Sequence, residues 1–270
     1  MATSEFSDKG FFLSVEIDIM DSRKDILESM ETCVQRFVVA NWKMNGSQQL
    51  CDVFVNRFST FAFNPAVEIV IAPPAVYLGQ MRTAVMSSDL PLALGAQDCA
   101  SGDNTPSTGD ISSRMFKEVG ARYVLVGHSE RRTLHCESSK VVGMKANAGL
   151  RSRLIPIICV GQNNRSISRE SLTKQCRDSI PMNSHDFIVA YEPVYAIGTG
   201  IVPSNEEIEE AVSLIKGAVG DAVPVLYGGS VSPANCSEIF GVKNLGGVLV
   251  GGASLDPDSF IKICEVANRF

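Results

Sequence analysis

The chain has 270 residues, 45% hydrophobic and 20% charged, which suits one large domain or two small ones around a real core. Its formal net charge of −6 sits mostly in residues 1–35, which hold three basic and eight acidic side chains, so the remainder is near neutral. That excludes the clustered basic face a nucleic-acid binder needs, and no apolar run is long enough to span a membrane.

Residues 1–35 read as an N-terminal extension, partly helical or poorly ordered, with the spacing of Ile26, Met30, Cys33 and Val34 suiting a helix over residues 22–34. The short run from Gly10 to Val15 soon meets Glu16 and Asp18, unlike a secretory signal, and the acidity of the segment is unlike a transit peptide. No function is assigned to it.

From residue 36, short β-rich runs alternate with amphipathic stretches. Phe37–Asn41 is the first strand, followed by a helix with Leu50, Val53, Phe54 and Phe58 on one face. Strands follow at Glu68–Ala72, Leu92–Ala96, Tyr123–Gly127, Ile155–Val160 and Phe187–Tyr191. Ser204 and Glu207 form a capping-box start, with Ile208, Ala211, Val212 and Ile215 as the stripe behind it. After the strand Pro224–Tyr227, Ser232-Pro233 reads as a cap with proline at the first helical position. Gly247–Val250 is the last strand, and Asp256-Pro257 opens a helix carrying Phe260, Ile263 and Val266.

Most of these strands are continuously apolar, as parallel strands covered on both faces are. Eight strands alternating with helices predict an α/β fold: a single (β/α)8 TIM barrel over residues 36–270. A doubly wound open sheet is the alternative, disfavoured because no GxGxxG follows the first strand. The eight cysteines form no CxxC pair and cluster with no histidines, so they read as buried, reduced thiols of a cytoplasmic protein, with no metal site.

A barrel places its chemistry just beyond the C-terminal ends of the strands. There the chain reads Asn41-Trp42-Lys43-Met44-Asn45-Gly46, Gly127-His128-Ser129-Glu130-Arg131-Arg132, Tyr191-Glu192-Pro193, Tyr227-Gly228-Gly229-Ser230-Val231 and Val250-Gly251-Gly252-Ala253-Ser254-Leu255. A lone lysine is usually a solvated charge, but Lys43 lies between Trp42 and Met44 after a buried strand. His128 fits a structural histidine, yet it precedes a helix start whose dipole favours neutral imidazole. Glu192 fits half of an ion pair, yet it precedes a glycine-containing loop able to cover and desolvate a base. One Gly-Gly pair usually marks a turn; two at consecutive strand ends suit backbone N–H groups approaching a phosphate.

Together and in this order, these segments resemble triosephosphate isomerase, from Phe37 to near Leu255. The resemblance implies interconversion of glyceraldehyde 3-phosphate and dihydroxyacetone phosphate, in glycolysis and gluconeogenesis, without redox cofactor or metal. It implies that Glu192 is the base, that neutral His128 donates to the carbonyl or enediolate oxygen, and that Lys43 offsets the negative charge. The division of labour between a Glu base and a neutral His is the established pattern of this family, and it comes with the resemblance. Asn41 matches a residue that bonds the substrate oxygens. Gly198, Ser230, Gly251 and Gly252 would hold the phosphate through N–H groups. Ser129 would steady the resting base and Glu130 would sit near the lysine. Residues 193–203 would be the lid, and Thr108, in the loop 98–110, would reach the active site of a partner in a homodimer.

The chain departs from the family at the lid. Tyr195 and Gln162 stand where relatives usually have Trp and Glu; a phenol and an amide are able to bond in their place, and the joint change reads as a rewired hinge contact rather than drift. Ile201-Val202-Pro203 replaces the usual second hinge, and Pro203 stiffens it. Ser107 stands where relatives usually have Phe in the dimer loop. Two other readings stay open: an isomerase of a longer sugar phosphate, and a non-catalytic barrel kept for binding.

Overall fold

Parallel strands rise in sequence order around a closed ring in the computed structural model, which describes residues 36–166, 168–181 and 184–270. The expected N-terminal extension, with its helix over 22–34, lies outside the described residues. The elements are β1 (Arg36–Asn41), α1 (Gln48–Phe58), β2 (Val67–Ala72), α2 (Ala75–Ser87), β3 (Ala93–Ala96) and α3 (Ser113–Glu118). Then come β4 (Tyr123–Val126), α4 (Ser129–Leu134), α5 (Ser139–Arg151), β5 (Ile155–Gln162), α6 (Arg169–Ser179) and β6 (Ile188–Pro193). The chain ends with α7 (Asn205–Val219), β7 (Val225–Tyr227), α8 (Cys236–Phe240), β8 (Gly247–Val250) and α9 (Pro257–Ala267). β1 closes the ring by pairing with β8, Phe37 opposite Gly247 and Ala40 opposite Val250. This is the expected barrel.

Continuously apolar strands make sense once their two faces are separated. Phe37, Val39, Ile157, Cys159, Ile188 and Ala190 pack into one core, and Val38, Ala40, Ile158, Val160, Val189 and Tyr191 into another. Alternate residues thus fill the barrel lumen and the layer beneath the helices. The same parity delivers functional side chains. Asn41 follows Phe37 and Val39 on the lumen side, and Glu192 follows Ile188 and Ala190. Gly161 is opposite Glu192 in the β5–β6 ladder, where a Cβ would overlap the Glu192 carbonyl, so only glycine fits.

The helices follow their local signals with two exceptions. The capping box at Ser204 and Glu207 is complete, and Ile208, Ala211, Val212 and Ile215 are all buried. Asp256 caps α9 with Pro257 at its first position. In α1, however, Val53 is 42% exposed, and Cys51 and Val55 join Phe54 and Phe58 in the buried face. Nor does Ser232-Pro233 open α8. Asn235 Oδ1 accepts the Ser232 N–H at 2.7 Å, which folds residues 232–235 into a turn, and the helix begins at Cys236. Among the described residues no helix is long and apolar enough to cross a membrane.

Candidate active site

At the C-terminal end of the barrel, a cavity of about 350 Å³ is lined by Asn41, Lys43, His128, Gly198, Ser230, Gly251 and Gly252, among others. The residues expected from β1, β4, the lid, β7 and β8 thus converge on one space. Around it, the N–H groups of Gly198, Ser230, Gly251 and Gly252 carry no hydrogen bond to another described residue. Gly252 also begins a 3-10 turn, Gly252–Leu255, so its N–H belongs to a helical N-terminus suited to an anion.

Lys43 occupies left-handed backbone space, φ 53°, which is uncommon and costly for a lysine. Two side chains hold it there. Asn41 Oδ1 accepts the Lys43 N–H at 3.0 Å, and Gln97 Nε2 donates to the Lys43 carbonyl at 2.9 Å and to the Ala72 carbonyl at 2.8 Å. No motif in the sequence singles out Gln97. Its place directly after β3 is the one signal that points to it. The Lys43 ammonium meets Glu130 Oε1 at 2.5 Å, so Glu130 is beside the lysine.

His128 is 6% exposed and caps α4 with its own ring: Nδ1 accepts the Glu130 N–H at 3.3 Å. A nitrogen that accepts carries no proton, so this contact directs the proton of a neutral ring to Nε2. Nε2 lies 2.9 Å from Glu192 Oε1, without the alignment of a hydrogen bond. Burial works against the imidazolium, but the Glu192 carboxylate outweighs it, and the net shift is upward from the ordinary histidine value. The ring is thus pulled both ways: the cap at Nδ1 favours the neutral form, and the carboxylate at Nε2 favours the charged one.

Glu192 is 2% exposed, and its Oε2 accepts the backbone N–H of Ser129 at 2.7 Å. Drawn back in this way, it does not line the 350 Å³ cavity. With Ser129 it borders a neighbouring space of about 580 Å³ under Gly161, Gln162 and Val194. The Cys159 thiol, buried beside it, is held well above its usual value by burial first and the Glu192 charge second, so it stays a thiol.

Two arginines beside His128 hold this end of the fold. Arg132 donates to the carbonyls of Gly127 at 2.8 Å and Cys159 at 2.9 Å, tying the His128 turn to β5. Arg131 and Lys145 share the carboxylates of Glu137 and Asp98, with contacts of 2.6 to 2.9 Å.

Comparison with known proteins covers the barrel. The family model described as triosephosphate isomerase matches residues 36–267. The chain belongs to the triosephosphate isomerase family. It is 38% identical over 246 residues to the triosephosphate isomerase of Alkalilimnicola ehrlichii, covering 86% of this chain and 98% of that one. It is 37% identical over 254 residues to that of Acidiphilium cryptum, covering 87% and 99%. Among solved structures, the triosephosphate isomerase from Bartonella henselae superposes with a TM-score of 0.76 at 33% identity, covering 86% of this chain and 99% of that one.

Within this triosephosphate isomerase family frame, two expectations need adjustment. The expected contact between Tyr195 and Gln162 is not made. Gln162 Nε2 instead donates to the Arg165 carbonyl at 3.4 Å, and its buried Oε1 has no partner. Six of the seven described cysteines are buried, but Cys136 is exposed, in left-handed backbone at φ 54°. Thr108 is exposed on the loop 98–110 and does not line its own chain's cavity.

Proposed function

We propose that this chain is a triose-phosphate isomerase, interconverting D-glyceraldehyde 3-phosphate and dihydroxyacetone phosphate in glycolysis and gluconeogenesis. One observation carries the reading: an imidazole and an ammonium line a cavity together with backbone N–H groups that bond no other described residue, and a buried carboxylate rests 2.9 Å from the imidazole. Aldose–ketose interconversion needs a base, an acid at the oxygens and charge balance, and an anion site secures the substrate.

In this mechanism Glu192 takes the proton from the carbon beside the carbonyl. The C–H electrons form the carbon–carbon double bond of an enediolate, and the carbonyl oxygen receives the displaced pair. His128 Nε2–H gives its proton to that oxygen and then takes the proton of the neighbouring hydroxyl, so that the carbonyl passes from one carbon to the next, and Asn41 bonds the substrate oxygens. Lys43 offsets the phosphate and the developing negative charge. The proton on Glu192 then returns to the neighbouring carbon. Gly198, Ser230, Gly251 and Gly252 hold the phosphate, Ser129 fixes the resting base, and Glu130 positions the lysine.

Residues 193–203 serve as the lid. Gly198 and Gly200 take φ values of 69° and 76°, open to glycine without strain. Glu192 directly precedes the lid, so closure carries the carboxylate from Ser129 toward the cavity. That removes the charge that raises His128 and leaves its ring neutral for donation. Closure also excludes water from an enediolate that can lose phosphate.

The active form is a homodimer in the cytoplasm, with residues 1–35 as an extension of the barrel domain. Met44, Val76 and Leu134 are 96%, 81% and 74% exposed, and Ile111 and Met44 border one open cavity of about 430 Å³ near Lys43. Such side chains favour a covering partner. Seven free cysteines among the described residues suit a reducing compartment.

The test compares wild type with Glu192→Ala on glyceraldehyde 3-phosphate. Loss of at least about 10²-fold in kcat is expected for removal of a general base. Equal activity removes Glu192 from the mechanism, an inactive wild type leaves a binding barrel, and faster turnover of a tetrulose phosphate moves the substrate class.

A further inference from the structure

Both ends of the lid meet the short stretch that runs from the end of β5 to Arg165. Gln162 stands opposite Pro193 in the β5–β6 ladder, against the first hinge. Its Nε2 donates to the Arg165 carbonyl at 3.4 Å. The Arg165 side chain crosses to α7, where Nε meets Glu207 Oε1 at 3.0 Å and a second N–H meets Oε2 at 3.3 Å. Glu207 Oε2 also accepts the backbone N–H of Ser204 at 2.8 Å, in the capping box that directly follows Pro203. A continuous path therefore joins the first hinge to the second without passing through the lid.

We propose that Arg165 is a positioning residue that keeps the two hinges in register, so that the lid closes as one body. This deepens the isomerase reading and rests on it. The two-pronged contact matters because it fixes direction as well as distance. Glu207 is bound to the hinge backbone, so movement of Arg165 transmits to Ser204. Tyr195, on the first hinge, is near enough for its phenol to respond to the charges of both Glu207 and Arg165. The pair is partly solvated, with side-chain exposures of 65% and 32%, so its contribution is modest and weakened by salt.

Register has a chemical consequence. In a loosely covered enediolate, the electrons on oxygen can re-form a carbonyl while the double bond shifts toward the phosphate-bearing carbon. The C–O bond then breaks, and its electron pair leaves on inorganic phosphate. A lid closing one end at a time favours this loss over return of the proton.

The experiment measures phosphate released per isomerisation for wild type, Arg165→Ala, Glu207→Gln and the double variant. Glutamine keeps an acceptor for the Ser204 N–H, as capping boxes allow, while removing the charge pair. Each single variant is expected to raise the released fraction about two- to fivefold, matching the loss of an exposed ion pair. The double variant should add nothing further. High salt should raise the wild-type fraction toward that of the variants, and Arg165→Lys should recover part of the effect. An unchanged fraction in Arg165→Ala, or independent additive effects in the double variant, overturns the proposal. Wild type that does not isomerise fails the isomerase reading itself, and this inference with it; that result is distinct from an active enzyme with an unaltered fraction.

Discussion

Glu192 Oε1 lies 2.9 Å from His128 Nε2, in a site where Glu192 is 2% and His128 6% exposed. The base and the acid of the proposed reaction thus rest against each other, and substrate must separate them.

Their contact has a signed pH dependence. The folded-state value of His128 lies above its unfolded value of about 6.5. The pair therefore adds stability that is fully present below that unfolded value and is lost as pH rises through the folded one. His128→Asn removes the charge and keeps a residue suited to capping α4. In urea titrations, wild type should gain more over His128→Asn under mildly acidic conditions than under alkaline ones. A gap that widens with rising pH contradicts the assignment.

Gln97→Leu should release the backbone of Lys43. Two carbonyls lose their shared donor, and the left-handed lysine loses one of its two restraints. The expected cost is about 1–3 kcal/mol of stability. KM should rise more than kcat falls, because a misplaced ammonium weakens phosphate binding before and during reaction alike. Unaltered stability and KM would mean that Asn41 suffices to hold Lys43.

Ser204→Ala removes one half of the capping box. Helix α7 should lose about 0.5–2 kcal/mol, read as a lower denaturant midpoint at an unchanged m-value. Full retention of stability would show that the Glu207 half carries the cap alone.

Met44→Asp places a charge on an apolar side chain that is 96% exposed in the single chain. If the homodimer covers it, sedimentation should show monomer at concentrations where wild type is dimeric. Identical sedimentation of the two proteins takes Met44 out of the interface.

Legibility varied with the range of the interaction. Every described strand was readable because apolar runs record burial on both faces, and the strand ends then pointed to Glu192, with Asn41 coming from the family resemblance. The capping box of α7 was readable because its signal spans four residues. Gln97 was hidden because its acceptors, Lys43 just beyond β1 and Ala72 of β2, lie far from it in sequence and leave no spacing to detect. The turn at Ser232 depended on Asn235 competing for a backbone N–H, which a cap-plus-proline rule does not weigh. The Tyr195–Gln162 contact was missed for a similar reason: the Arg165 carbonyl competes for the amide, and no residue type signals that.

The β1–β8 seam unites the two ends of the barrel, and with them Asn41 and Lys43 on one side and Gly251 and Gly252 on the other. A ribosome-bound chain that has not yet released β8 therefore has neither a complete anion cradle nor a closed ring. It presents the open edge of β1, a surface prone to pairing with other chains. Catalytic competence therefore waits on β8 joining the ring, and a chain cut before residue 247 is expected to aggregate rather than to work slowly.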